Sequence, residues 1–331
     1  MHRGRLLQHR RDLRPLGRTR HLLKSARLAG SRHRRGVLLM VGATLCWASA
    51  GMLVRNMDLR DSWEITFWRS LFMTLFILGV LALQYRARMF ERLRAVGLPG
   101  AVASALWALM YLCFILALGH TTVANVLVLS SIAPFTAALL GRLVLHERVP
   151  ARTWLAMTAA FAGIVLMFVE STASGGLIGN LIALAIPFAF AVNVSILRRT
   201  HARVDMIPTL VLSGVLSMAI ALPFALPLEP SAKDFGLLAI MGVAQLGLGV
   251  LLMILAAPHL KAAEIGLLSV LEILFGTVST WLVVGERPGS GALAGGAVVI
   301  AALVVNELLG LRQRARPDED EAVREVTGAG H

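Results

Sequence analysis

Charge is scarce in this chain, and cysteine and tyrosine are scarcer still. Charged residues make up 15% of its 331 positions, against roughly a quarter in soluble domains. That shortage excludes an ordinary soluble globular class. The two cysteines, Cys46 and Cys113, both fall inside apolar runs, so no disulfide framework is indicated. No His-Glu-x-x-His is present to hold zinc, and no Gly-x-x-x-x-Gly-Lys-[Ser/Thr] loop is present to cradle phosphates. No aspartate lies within an apolar run, which removes the paired-aspartate chemistry of intramembrane proteases. A membrane enzyme and a directly ATP-driven pump are therefore poorly supported, and no cofactor or metal is expected.

What the chain has instead is apolar length. It is 57% hydrophobic, and a helix crossing a bilayer needs about 20 such residues. Ten windows qualify, at 37–54, 62–84, 97–118, 121–143, 152–169, 176–197, 206–226, 235–257, 262–284 and 290–309. The fold class is an all-α polytopic membrane protein, in contact with lipid along most of its length.

A net charge of +13 invites a nucleic-acid reading, but the basic residues flank the spans. With the N-terminus placed inside, 27 of the 32 Lys and Arg fall on inner segments. The outer side then holds four: Arg55, Arg60, Lys233 and Arg287. Arg69 lies within a helix. This bias is the positive-inside rule, and it places both termini in the cytoplasm of an inner-membrane protein. Residues 1–36 are Arg-rich without an apolar core, so they do not read as a secretory signal. They are expected to form a disordered basic tail touching anionic lipid, with a start codon set too far upstream as the competing account. A second disordered tail is expected over 311–331.

The chain repeats itself. A shift of 139 residues pairs His120 with His259, Ser130 with Ser269, Leu143-Val144 with Leu282-Val283, and Glu147-Arg148 with Glu286-Arg287. An apolar run ending twice in Glu-Arg at one offset is a repeat signal. The offset holds five spans, an odd number, so the second unit (171–310) must be inverted relative to the first (37–170). The loop charges agree: Arg148 and Arg152 suit an inner loop, Arg287 alone an outer one. Inverted five-helix repeats are typical of secondary transporters, which bind substrate near the midplane.

Several residues are candidates to line such a site, each with a plainer reading beside it. Arg69 lies seven residues into the second span, about 10 Å deep, and either snorkels outward or faces a polar interior. Trp107 and Tyr111 are four apart and share one helical face, as core or as a substrate-stacking wall. Trp47 stands mid-span, where packing competes with cavity lining. Pro134 removes the helical partner of the Ser130 carbonyl, through a packing kink or because a watered cavity serves Ser130 and Ser131. Pro187 and Pro258 raise the same choice. Gln245, between Gly242 and Gly247, is a buried amide that either bonds a neighbouring helix or faces the path. Glu272 is ten residues into the ninth span, about 15 Å deep, and must be protonated, paired with Arg69, or facing water. In the functional reading it binds a substrate amine or carries a coupled proton. Glu264, in the first turn of that span, suits the helix dipole and is the poorer candidate. Ala159-x-x-x-Gly163 and Gly291-x-x-x-Gly295 are close-packing faces, meeting within one chain or across a homodimer.

These marks, Leu45-Cys-Trp, Phe67-Trp-Arg69, Pro134 through Glu147-Arg148, and Gly285-Glu-Arg-Pro288, follow one another in an order that resembles the drug/metabolite transporter superfamily, EamA type. The resemblance covers about 37–309. It implies a ten-helix basket in the plasma membrane that exports, or sometimes imports, amino acids, nucleobase-like compounds or drugs. The second copy departs from the first in carrying Ile273 where the first has Pro134, so symmetric helix breaks do not follow. The expected function is secondary active transport of a small metabolite, with a proton as candidate coupling ion. A passive channel is the alternative, since a watered path needs no motif.

Overall fold

In the computed structural model the described residues are 14–144, 146, 149–199, 206–260 and 262–327. Side chains are described over 32–86, 88–144, 146, 149–170, 175–196, 207–260 and 264–310. Glu147, Arg148 and residues 1–13 lie outside these ranges.

Among the described residues, ten helices are long and apolar enough to cross a membrane. The spans run Arg32–Asn56, Ser62–Tyr85, Gly97–His120, Val123–Val144, Ala151–Glu170, Leu177–Ile196, Ile207–Ala225, Ala232–His259, Glu264–Val284 and Ser290–Gly310. The described residues contain helices, turns and coil and no strand. That follows from a bilayer's lack of hydrogen-bonding solvent, which obliges each segment to satisfy its own backbone. Large apolar side chains stay exposed around the outside, among them Leu83, Leu155, Phe161 and Leu282. In water such a belt would drive aggregation; against acyl chains it costs nothing.

Packing follows the repeat. The first span packs on the ninth as the sixth does on the fourth, and the third packs on the sixth as the eighth does on the first. The second lies against the seventh, the fourth against the ninth and the fifth against the tenth. Replacing each span by its counterpart five later returns these main pairings, as an inverted pseudo-twofold requires.

Glycine sets the closest approaches. A Cβ on Gly163 would meet the Gly295 carbonyl oxygen at 2.6 Å, so the two small-residue faces meet within one chain. On the eighth span, a Cβ on Gly242 would meet the Arg69 carbonyl oxygen at 2.6 Å. Only a missing side chain lets the eighth span reach the second this closely.

Three expectations need correction. The eighth span begins at Ala232 rather than 235, because Ser231 caps it by accepting from the Asp234 N–H at 3.1 Å. This brings Asp234 into the first turn, where the helix dipole favours an acid. The basic segment expected to be disordered is helical from Arg14 and continuous with the first span. The C-terminal segment continues the tenth span to Thr327, over a run without glycine between Leu311 and Thr327.

Candidate functional site

Between the two repeats lies a cavity of about 820 Å³. The structure places all eight expected site residues on its wall: Arg69, Trp107, Tyr111, Ser130, Ser131, Pro134, Gln245 and Glu272. Sequence reasoning left Trp47 on the packing side, and it does both. A Cβ on Gly249 would lie 2.5 Å from the Trp47 Nε1, so the indole rests on that backbone while lining the cavity. Phe114, Arg152, Asn306 and Glu307 also line it and were missed. Phe114 follows Tyr111 by three residues, so the same helical-face rule could have found it.

The fourth span is two helices, Val123–Ser131 and Ala133–Val144, broken at Ile132 ahead of Pro134. The Ser130 carbonyl, which Pro134 cannot serve, meets the N–H of Ile132. Both serine hydroxyls donate within the helix, Ser130 to the Val126 carbonyl at 2.7 Å and Ser131 to Val128 at 2.6 Å. The ninth-span helix runs unbroken over Ala262–Val284. Ile273 keeps the N–H that Pro134 lacks, so the break is confined to one half.

Gln245 sits in a π-helical turn, Met241–Leu248, within the eighth span. Such turns are rare and frequent at functional sites. Flanking glycines are its one mark in the residue pattern. The turn carries the Gln245 side chain to Arg69, whose Nε donates to Oε1 at 3.3 Å. Arg69 is 3% exposed, which decides against snorkelling. Its guanidinium lies 5.9 Å from the Tyr111 ring centre and 5.6 Å from that of Phe114. Trp107 and Tyr111 are tilted at 41°, 5.9 Å apart.

The ion pair between Arg69 and Glu272 does not form. Among the described residues Glu272 has no hydrogen-bond or ion-pair partner. Arg69 Nη1 and Trp107 Nε1 are buried and likewise unpartnered. The Tyr111 hydroxyl lies near Ser213 without forming an aligned hydrogen bond to it.

The cavity is one-ended. Its wall continues to Val149, Pro150, Arg152, Thr153, Gly266 and Glu307, at the end of the bundle where the first span starts and the tenth finishes. The opposite end is tied shut by side chains absent from that wall. Glu286 accepts from Arg55 Nε at 2.5 Å and from the Val123 N–H at 2.7 Å. Arg55 also donates to the Thr121 carbonyl at 2.8 Å. Asp234 accepts from the Asp58 and Leu59 amides at 2.9 and 3.2 Å, and Glu64 from the Glu229 amide at 2.9 Å. A fourth carboxylate, Glu170 at the end of the fifth span, caps the tenth by accepting from the Gly291 and Ala292 amides.

Residues 34–169 and 177–307 each match the EamA-like transporter family. Among curated proteins, the "Pseudopaline exporter CntI" of two Pseudomonas aeruginosa strains is 26% identical over 279 residues, covering 82% of this chain and 95% of the relative. A solved structure titled "Crystal structure of protein" superposes with a TM-score of 0.59 at 17% identity. That superposition covers 83% of this chain and 97% of the other, a likeness of fold.

Proposed function

This chain belongs to the EamA-like transporter family, and on that premise we propose that it is a secondary active exporter of a small metabolite. The cargo class is an amino acid or related compound, with drugs among the candidates, and transport alternates access around the central cavity. In this reading the protein sits in the inner membrane with both termini cytoplasmic, as the basic asymmetry favours. The cavity then faces the cytoplasm, ready to load an exported compound. One observation carries most of the weight: a wall polar at Arg69, Gln245 and Glu272, open at one end and tied shut at the other by Glu286 and Asp234. A passive channel needs a path open at both ends, so the one-ended cavity favours a carrier. The exporter among the Pseudomonas aeruginosa relatives supports the direction.

Glu272 is the proposed coupling residue. A carboxylate without a protein partner can take a proton on one side of the cycle and release it on the other. The test compares metabolites in medium and cytoplasm with and without overexpression, then reconstitutes the protein with the compound that moves. Saturable uptake driven by an ion gradient is expected; ohmic current would establish a channel instead.

A further inference from the structure

The cavity wall is electrically divided. On the second and eighth spans, Arg69 and Gln245 form one pole. Arg69 is nearly fully buried, yet its Nη1 has no partner, and neither does Trp107 Nε1. Leaving buried donors unmade is costly, and more so for a charged group. Gln245 accepts from Arg69 Nε and so fixes the plane of the guanidinium, leaving the Nη edge for something else. An arginine edge held in one plane suits a carboxylate. The other pole is Glu272, an acceptor without a partner on the ninth span. Counting helix rise from opposite membrane faces puts the Arg69 and Glu272 backbones about 5 Å apart in depth. The Tyr111 and Phe114 rings face the guanidinium, and the Trp107 ring is tilted against Tyr111.

Resting on the transport reading above, we infer that the cargo is amphoteric and bound in one orientation. Its carboxylate goes to the Arg69 guanidinium and its ammonium group to Glu272. This explains why two opposite charges share one cavity without pairing: each holds its place for a group of the cargo. It also makes proton and ammonium alternatives at one carboxylate, so loading the cargo displaces the coupling proton.

The experiment uses purified full-length protein in lipid nanodiscs and a panel of defined probes. The panel holds free amino acids, the corresponding amino acid amides, the corresponding deaminated acids, polyamines, sugars and nucleosides, scored by thermal stabilisation. Stabilisation confined to amino acids is expected. For the best amino acid, capping the carboxylate as the amide should weaken binding about tenfold or more, the scale of a charge-assisted hydrogen bond. In Arg69→Gln that penalty should shrink to about twofold or less, while the penalty for removing the amine persists; Glu272→Gln should show the reverse. A merely structural arginine would weaken all probes alike. Should Arg69→Gln not fold, Arg69→Lys keeps the charge without the fork and should retain a reduced preference for the acid over the amide.

Stabilisation by sugars, nucleosides or polyamines in place of amino acids overturns the inference and leaves transport standing. Absence of stabilisation by every amino acid also overturns it. If overexpression in addition moves no metabolite between cytoplasm and medium, the transport reading falls with it.

Discussion

Glu272 and Arg69 reach the cavity without reaching each other, and this sets the expectations at the scale of single residues. A carboxylate with no protein partner contributes little to folding, so Glu272→Gln should express and melt close to wild type. Gradient-driven transport should be abolished, with exchange at most retained. Transport by that variant equal to wild type under a proton gradient would remove Glu272 from both coupling and binding. Gln245 carries a different expectation. Replacing it with Leu removes the acceptor that orients Arg69 Nε and leaves a buried charge with fewer partners. A loss of about 1–3 kcal/mol in stability is expected, read as the shift in unfolding midpoint in detergent. Among these residues the sequence exposed identity and depth but not pairing. Arg69 and Glu272 were within reach of one another by depth, and only the π turn that delivers Gln245 decided which partner Arg69 took.

At the scale of elements, spans five and ten meet through Gly163 and Gly295, with no room for a Cβ on either. Gly163→Leu should push these helices apart and destabilise by about 1–3 kcal/mol, the usual range for overpacking. A thermal shift on the purified variant checks this, and an unchanged midpoint would mean the contact is looser than described. The Glu-Arg ending of the ninth span acts differently from a repeat marker. Glu286 caps the fourth span through the Val123 amide and pairs with Arg55, joining the first, fourth and ninth spans at the closed end. Glu286→Gln weakens the ion pair and keeps an amide oxygen for the Val123 N–H. Added thiol reagents should then reach a cysteine placed at Leu127 from that side faster than in the otherwise wild-type protein. Equal rates in both backgrounds would show that the seal rests elsewhere, with Asp234 and Glu64 the next contacts to test.

For the whole molecule, the 27-to-four distribution of basic residues predicts cytoplasmic placement of both ends. A reporter active only outside the cytoplasm, fused after His331, should stay silent, while the same reporter in the Arg287 loop should be active. The opposite result would invert the molecule, and the cavity would then open to the outside. The repeat makes a related point about shape. Its pairing rule predicts the neighbours of each span, yet the two halves are unequal where it matters: the fourth span breaks before Pro134, and the ninth passes through Ile273 unbroken.

The sequence by itself determined the class, the ten crossings, the inverted repeat and the residue types that line the cavity. These rest on local rules: a bilayer admits only long apolar helices, odd repeats must invert, and a polar residue at depth has to face protein or water. It also marked Gly163 and Gly295 as a packing face. The tertiary structure alone decided the rest. It joined that face within one chain, turned Trp47 onto both Gly249 and the cavity, and left Arg69 and Glu272 apart. It also brought Arg152, Asn306 and Glu307 to the open end from spans distant in sequence. It closed the far end through Glu286 and Asp234, whose partners lie 163 and 176 residues away at Val123 and Asp58. Pairings over such separations depend on the register in which helices pack. Register is fixed by glycine approaches and a π turn, which leave almost no trace in hydrophobic periodicity.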